Sequence, residues 1–154
     1  MATKYGVEAT KRENSSIPSL AQQGCQCGNV KVFRDTYEIA ADLASGDIIR
    51  MCVIPKGARV LDVRVFFDDL DASGGTLDIG WAAGTAGVEA IDADGFGANV
   101  DVTSAGVYSM FTSQSTVAGF DKLFDDECVV TVTTDGDTDA TSGTITVMVL
   151  AVID

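Results

Sequence analysis

The clearest alternation of polar and apolar positions lies at the carboxyl end of the chain, in the segment from Thr144 to Ile153. A β-strand places successive side chains on opposite faces of its sheet. One face of this segment would carry five apolar side chains: Ile145, Val147, Val149, Ala151 and Ile153. The opposite face begins with Thr144 and Thr146 and becomes apolar at Met148, Leu150 and Val152. The pattern predicts a strand that needs a core on one side and a second cover on the other.

In a chain of 154 residues, we expect this second cover to come from another subunit or from a docking surface. Large exposed apolar patches on soluble proteins mark interaction sites. The sequence therefore predicts that Met148, Leu150 and Val152 lie in an interface.

A second alternating region, residues 47–68, predicts a β-hairpin. The first strand would carry Ile49, Met51 and Val53 on one face, and the segment Pro55–Gly57 would form the turn. The return strand would direct one set of side chains inward (Leu61, Val63, Val65 and Phe67) and another toward solvent (Asp62, Arg64 and Asp68). Phe66 shares the outward phase. It could anchor a contact with another chain, or a loop of the same chain could cover it.

Further strands are predicted at Thr76–Trp81, with Trp81 inward, and at residues 128–133, with weaker candidates near 30–39, 107–111 and 115–120. Residues 37–43 fit a strand or a helical turn, and no segment sustains helical spacing for long. About eight strands with many glycines favour an all-β fold, an antiparallel two-sheet sandwich with a jelly roll as the preferred arrangement. Residues 1–28 are polar and aperiodic, which predicts an extended N-terminal arm before a sandwich domain at 29–154.

The charge of the chain is strongly negative and unevenly placed. The formal net charge is -13, which argues against direct binding to nucleic acid or anionic membranes. Residues 1–34 nevertheless hold five basic residues against two acidic ones, and Lys4, Lys11 and Arg12 lie in the arm. We expect the arm either to dock on an acidic neighbouring surface, such as a sister subunit, or to be a solvated tail.

Short apolar runs and the polar start of the chain predict a soluble protein that is made and folded in a cytoplasm, with no membrane partner. Cys25 and Cys27 could ligate a metal or cross-link subunits, but their spacing without histidine is a poor zinc site. Cys52 and Cys128 fall inside strand patterns and are expected to be buried. No cofactor is predicted for the protein.

Catalytic patterns are nearly absent from the sequence. Without any histidine, neither a Ser-His-Asp nor a Cys-His arrangement can be built, and no phosphate-binding or dinucleotide fingerprint occurs. Asp68, Asp69 and Asp71 could pair as acids, but aspartates in turns more often accept hydrogen bonds from backbone amides. The chain is therefore predicted not to be an enzyme.

Calcium is the remaining metal candidate. Three aspartates, Asp135, Asp137 and Asp139, alternate in a loop, and Asp92, Asp94 and Asp101 surround a glycine-rich stretch. The EF-hand pattern fails, because Ala140 stands at its sixth position and Thr146 at its twelfth. The alternative is a solvated hairpin loop.

Three segments together resemble the small head proteins of tailed bacteriophages. They are GDIIRMCVIPKGARVLDVRVFFD at 46–68, TLDIGW at 76–81 and DADGF at 92–96, so the resemblance covers about residues 46–96. It implies a jelly roll or related sandwich that decorates the capsid, often as a trimer at local threefold positions. No residue role is carried over from it.

The resulting hypothesis is a capsid decoration or cement protein of the virion. It would bind the major capsid protein at the outer surface of the shell as a homotrimer and stabilise the head. The alternative is a head-fibre or tail-associated sandwich that binds a host glycan.

Overall fold

The computed structural model describes residues 29–70, 74–112, 118–136 and 140–153, and these ranges contain eight β-strands. The strands are β1 (Asn29–Ile39), β2 (Ile48–Ile54), β3 (Ala58–Phe67), β4 (Thr76–Ala83), β5 (Asp92–Asp101), β6 (Gly106–Ser109), β7 (Cys128–Asp135) and β8 (Gly143–Ile153). No described segment forms a helix that is long and apolar enough to cross a membrane.

The strands form two antiparallel four-stranded sheets. Sheet 1 has the order β1-β8-β3-β6, and sheet 2 has the order β2-β7-β4-β5. The predicted two-sheet sandwich is thus confirmed. The arm at residues 1–28 lies outside the described residues, and its separation from the sandwich domain stays a prediction.

The predicted hairpin at residues 47–68 is wrong, although both of its strands exist. The first strand, β2, pairs with β7 in sheet 2, whereas the second, β3, pairs with β8 and β6 in sheet 1. The turn at Pro55–Gly57 therefore carries the chain across the sandwich, with Gly57 at a φ of +80°. Alternation shows only that each strand has one buried face, and two strands that face each other across a core satisfy it as well as two paired strands do.

The inner faces of the two sheets meet in one apolar core. On β8 the side chains of Ile145, Val147, Val149 and Ala151 are fully buried, as predicted, and Ile153 is half-buried. Trp81 is also inward and packs with Phe96 and Phe124, with ring centroids 4.8 and 5.4 Å from its own. Its indole nitrogen donates a hydrogen bond to the carbonyl of Ala90 at 2.9 Å, which satisfies the one polar atom of this aromatic cluster.

A β-bulge in β3 changes which of its side chains face the core. The register with β8 shifts between Val60 and Asp62, so Val60 and Val63 are both buried and Leu61 is only half-buried. The predicted inward position of Leu61 is therefore wrong, whereas Val63, Val65 and Phe67 are buried as expected. A bulge inserts one extra residue in the strand and so reverses the alternation on one side of it.

Two other segments differ from the sequence-based prediction. The stretch read as a glycine-rich loop around Asp92 forms the ten-residue strand β5, which simple alternation failed to reveal because its glycines and aspartates disfavour strands. Of residues 37–43, the first three are the end of β1, which stops at Ile39, and residues 40–43 have no regular structure. In the predicted weak strand at 115–120, residues 118–120 form turns, and the earlier residues lie outside the described part.

Candidate assembly surface

The outward face of sheet 1 combines side chains from all four of its strands. The antiparallel registers place them in rows across the sheet. The rows, written from β1 through β8 to β3 and β6, are Val30–Val152–Arg59, Val32–Leu150–Asp62, Arg34–Met148–Arg64–Ser109 and Thr36–Thr146–Phe66–Val107. We call these fourteen positions the sheet 1 outer face.

Several apolar side chains on the sheet 1 outer face are open to solvent. The exposed fractions are 55% for Val30, 58% for Val32, 39% for Phe66 and 59% for Val107, while Met148 and Leu150 are half-buried. Scattered apolar side chains on a protein surface need no explanation, but a contiguous group marks an interaction site. This face therefore has the composition of a contact surface.

Of the residues predicted to form an interface, four can be placed, and all four lie on this face. Phe66, Met148 and Leu150 are at least partly exposed, and their place in an interface stays a prediction. Val152 is only 5% exposed and is not available to a partner, which corrects the prediction for this residue. It lies in the row between Val30 and Arg59, and side chains on both neighbouring strands shield a residue of a central strand.

Valines 30, 32 and 107 contribute to the sheet 1 outer face but were not predicted to do so. The signal for the first two was the polar–apolar alternation of β1, which the sequence shows only weakly. Val107 is recognisable only after β6 is placed opposite Phe66. An exposed aromatic pair lies outside the strands: the rings of Phe111, two residues after β6, and Phe120 lie 5.5 Å apart between centroids.

The charges on the sheet 1 outer face differ from those of the whole protein. Arg34 and Arg64 flank Met148, and the buried Asp62 accepts hydrogen bonds from Arg64 Nε at 2.8 Å and from Ser109 Oγ at 3.4 Å. Asp62 was predicted to face solvent and is only 3% exposed. Asp62 keeps its outward phase but is covered by the neighbouring side chains of this face, and Arg64 and Ser109 supply the hydrogen bonds that a buried carboxylate requires.

Arg59, which is also on this face, forms an ion pair with the carboxylate of Asp121. Its Nη1 lies 3.2 Å from Asp121 Oδ2 and donates a hydrogen bond to the Asp121 carbonyl at 3.1 Å. Asp62, the one carboxylate among these fourteen positions, and the neighbouring Asp121 are thus each paired with arginine, in a chain whose net charge is -13. The sheet 1 outer face carries three arginines against this one aspartate, so another acidic surface can approach it with little repulsion.

The candidate calcium ligands are not brought together in the described residues. Asp135 is exposed at the end of β7, and Asp137 and Asp139 lie outside the described part. Asp92 and Asp94 are close, and burial, together with the side-chain hydrogen bond between protonated Asp92 and the Asp94 carboxylate, raises the pKa of Asp92. Asp101 stands at the other end of β5, where hydrogen bonds from Thr103 lower its pKa. Within the described ranges, no three or more Asp, Glu or Cys side chains form a group suited to a metal ion.

The other predicted polar and thiol sites have structural surroundings. Asp68 Oδ2 accepts a hydrogen bond from the Thr144 amide at 2.9 Å, which is the amide-capping role expected of a turn aspartate. Cys128 is fully buried and Cys52 half-buried, and both are free thiols. Cys25, Cys27, Lys4, Lys11 and Arg12 lie outside the described residues, as does Asp71.

A surface cleft of about 550 Å³ lies between β5 and β6. Its lining includes Phe67, Asn99, Tyr108 and a single carboxylate, Asp101, which already accepts two hydrogen bonds from Thr103 at 2.9 and 2.7 Å. The described lining residues contain no pair of groups that could act as nucleophile and base.

Comparison with known proteins gives no family but gives clear structural neighbours. No family model matches the chain, and no curated protein matches it. A chain in the capsid asymmetric unit of cyanophage Pam1 is 23% identical with a TM-score of 0.64, over 82% of this chain and 86% of that chain. A chain in the capsid of Ralstonia phage GP4 is 25% identical with a TM-score of 0.66, over 84% and 88% respectively.

A third neighbour comes from a structure of infectious bursal disease virus, Gx strain. It is 14% identical with a TM-score of 0.52, over 83% of this chain but only 33% of that chain. The three likenesses show that this two-sheet sandwich recurs in virus structures, two of which are phage capsids. In the two phage capsids the match spans most of both chains, so the neighbour is a small separate chain of similar extent.

Proposed function

We propose that this chain is a structural protein of a bacteriophage virion that binds the major capsid protein from the outside and stabilises the shell as a decoration or cement protein. Two neighbours from phage capsids, matched over most of their length, are the observation that carries this proposal. The proposed role is mechanical, not enzymatic. The protein would lie on the outer surface of the finished head, and it would be in the host cytoplasm during assembly.

The sheet 1 outer face supports this role because it offers a contact surface without a reaction centre. Its exposed valines and Phe66 would be buried against the shell, and each Å² of apolar surface removed from water contributes about 25 cal/mol. A modest area per copy suffices when the same contact is repeated by the symmetry of the shell. The arginines beside Met148 would meet carboxylates of the partner.

We further infer that the sandwich is a jelly roll and that it assembles as a homotrimer. The nested pairing of β1 with β8, β2 with β7, β3 with β6 and β4 with β5 supports the jelly roll, because it folds the first half of the chain against the second. The trimer rests on the resemblance in residues 46–96. In it, the cationic residues of the arm, Lys4, Lys11 and Arg12, would dock on the acidic body of a neighbouring subunit.

Co-sedimentation with empty shells tests the proposed contact surface. The double substitution Phe66→Ser/Val107→Ser removes two exposed apolar side chains from sheet 1 and is expected to lower the bound fraction. The matched control is Ile48→Ser/Val53→Ser, which removes two side chains that are 64% and 47% exposed at the outer surface of sheet 2. Equal binding by both variants would contradict the proposed surface, and failure of the unaltered protein to bind shells would contradict the function.

Deletion of residues 1–28 tests the docking role of the arm. The shortened chain should lose trimer mass in light scattering and bind shells more weakly, and higher salt should weaken the full-length trimer for the same electrostatic reason. An unchanged mass and unchanged shell binding would refute arm docking while leaving the sheet 1 contact in place.

A further inference from the structure

One strand edge of the sandwich is left open in a way that the others are not. Natural proteins protect edge strands by making them short, by bulges or by covering them. Here β6 has only four residues, β2 contains a register shift between Arg50 and Val53, and β5 contains two shifts. By contrast, β1 runs for eleven residues in unbroken register with β8, and among the described residues it pairs on that side alone.

The first half of β1 is also largely open to solvent. From Asn29 to Asp35 every side chain is exposed except Phe33, which is half-buried at the margin of the core. An added strand could therefore lie along this edge without displacing any described segment. It would gain backbone hydrogen bonds and also cover Phe33.

We propose that β1 pairs antiparallel with β1 of a second copy about a twofold axis, with Phe33 of one copy opposite Phe33 of the other. This register sets Lys31 opposite Asp35, twice by symmetry, on the inward side. On the outward side it sets Val32 opposite Arg34 and Val30 opposite Thr36. Opposite charges and aromatic pairs that face each other across paired strands each stabilise a sheet by about 0.2–1 kcal/mol.

Other registers are less favourable, and this selects the one proposed. Moving the axis by one residue toward the carboxyl end sets Arg34 against Arg34, and by two sets Asp35 against Asp35. Moving it by one residue in the other direction sets Lys31 against Phe33, and by two sets Lys31 against Lys31. Like charges directly opposite each other are destabilising. Among these five registers, only the proposed one gives every charged side chain on the inward side an opposite partner.

The pairing joins two four-stranded sheets into one of eight strands and brings the exposed valines of two copies onto a common face. A twofold contact cannot close a ring of three, so it would link copies of neighbouring trimers. It extends the proposed function but does not depend on it, because the contact can form between purified molecules without a shell.

Disulfide trapping tests the register directly. In full-length protein with Cys25→Ser and Cys27→Ser, the single variants Val32→Cys and Arg34→Cys are prepared separately, oxidised alone and then oxidised as a mixture at physiological ionic strength. Directly opposite residues lie about 4.5–5.5 Å apart between Cα atoms, within disulfide range. Identical positions in this register are offset by two residues and lie about 7–8 Å apart. Only the mixture should form an abundant cross-linked dimer.

Exchanging the charges at positions 31 and 35 provides a second test. Cys52 and Cys128 are left in place. Lys31→Asp should weaken self-association about tenfold, since two like-charged pairs replace two opposite ones. The double variant Lys31→Asp/Asp35→Lys should restore it. Lys56→Asp, at an exposed position in the turn before β3, changes the net charge equally and should have little effect.

Several results would overturn the proposal. The first is a protein that stays monomeric or trimeric and shows no cross-linking when the two cysteine variants are mixed. The second is equal cross-linking when each cysteine variant is oxidised alone. The third is a Lys31→Asp/Asp35→Lys variant that remains dissociated. Cross-linking that appears only after deletion of residues 1–28 would mean that the chain's own arm occupies the edge, and it would also refute pairing between full-length copies. Loss of shell binding with intact cross-linking would count against the proposed function alone.

Discussion

Glu89 is a buried carboxylate that connects a loop to the aromatic cluster of the core. It is 8% exposed, and its oxygens accept hydrogen bonds from Lys122 Nζ at 3.2 Å and from the amides of Asp125 and Asp126 at 2.5 and 3.3 Å. Lys122 Nζ in turn lies 5.8 Å from the centroid of the Trp81 ring. One side chain thus satisfies two backbone amides and holds a cation against the core.

Replacing this carboxylate should measurably destabilise the fold. We expect Glu89→Ala to lower the free energy of unfolding by about 2–3 kcal/mol, because it leaves buried donors without an acceptor. Glu89→Gln should cost less, since it keeps an acceptor while losing the charge. Urea denaturation followed by circular dichroism measures both, with Asp42→Ala at an exposed position as the control. A loss for Glu89→Ala no larger than that of the control would contradict the role given to Glu89.

The two sandwich thiols predict how stability changes with pH. Burial, with a smaller contribution from Asp35, raises the pKa of Cys52 to about 11, and burial, followed by the charge of Glu89, raises that of Cys128 to about 12. The ordinary value is 9.0, so above pH 9 the unfolded chain loses these protons before the folded one. Stability from these groups is therefore complete below pH 9 and falls as the pH rises toward 11 and 12.

The measurement is the thermal midpoint between pH 8 and 10.5 for the unaltered chain and for Cys52→Ala/Cys128→Ala. The midpoint of the double variant should fall less steeply, because lysines and tyrosines titrate in both proteins and only the thiols differ. Parallel curves would show that the thiols do not contribute to the alkaline loss.

At the scale of elements, β8 is divided into two faces with different tasks. Val149 is fully buried between the sheets, whereas its neighbour Met148 is half-buried between Arg34 and Arg64 on the sheet 1 outer face. The strand is central in its sheet, with β1 on one side and β3 on the other. A polar substitution should therefore act on folding at one position and on binding at the next.

A pair of aspartate substitutions separates these tasks. Val149→Asp places a charge in the core without a partner and should destabilise the domain by about 4 kcal/mol or more. Met148→Asp places the same charge between two arginines, so the melting temperature should change little while shell binding falls. Thermal melting and co-sedimentation together read out both effects. If Met148→Asp unfolded the domain and left no soluble protein, the assignment of this face as a surface would be wrong.

Strand faces were predictable from sequence, but strand pairing was not. The alternation in β8 and around Trp81 located buried positions, because it reports which side chains need a core. It could not report that β2 and β3 belong to different sheets, or that a bulge displaces Leu61 from the core, because both depend on contacts between distant segments. The outward apolar positions of sheet 1 were therefore predicted only in part: Phe66 and Met148 were named from the sequence, and Val107 was not. Their role in an interface stays a prediction.

Gly80 shows the same limit for a single position within an element. In sequence it is an unremarkable outward residue of β4, and a glycine there even weakens the strand. In the structure a Cβ atom at this position would lie 2.0 Å from the carbonyl oxygen of Asp92. The start of β5 lies directly over it, and this close approach explains the glycine. A long-range backbone contact of this kind leaves no local signal.

At the scale of the whole molecule, the net charge of -13 on 154 residues is the dominant electrostatic property. Like charges on a compact body repel one another and reduce its stability, and they also keep separate copies apart. The ion pairs of Asp62 and Asp121 with arginine reduce this repulsion at the sheet 1 outer face. Assembly would then be directed to the part of the surface where repulsion is weakest.

The same charge predicts that added salt stabilises the isolated protein, and the kind of salt tests the calcium candidates. At 0.1 M ionic strength the screening length is about 10 Å, so sodium chloride should raise the melting temperature from its low-salt value. If screening is the cause, calcium chloride at equal ionic strength should give a similar rise, and chelator dialysis should leave the midpoint unchanged. A much larger rise with calcium, lost in Asp135→Asn/Asp137→Asn/Asp139→Asn, would instead mean that this loop binds the ion and that general repulsion is not the main effect.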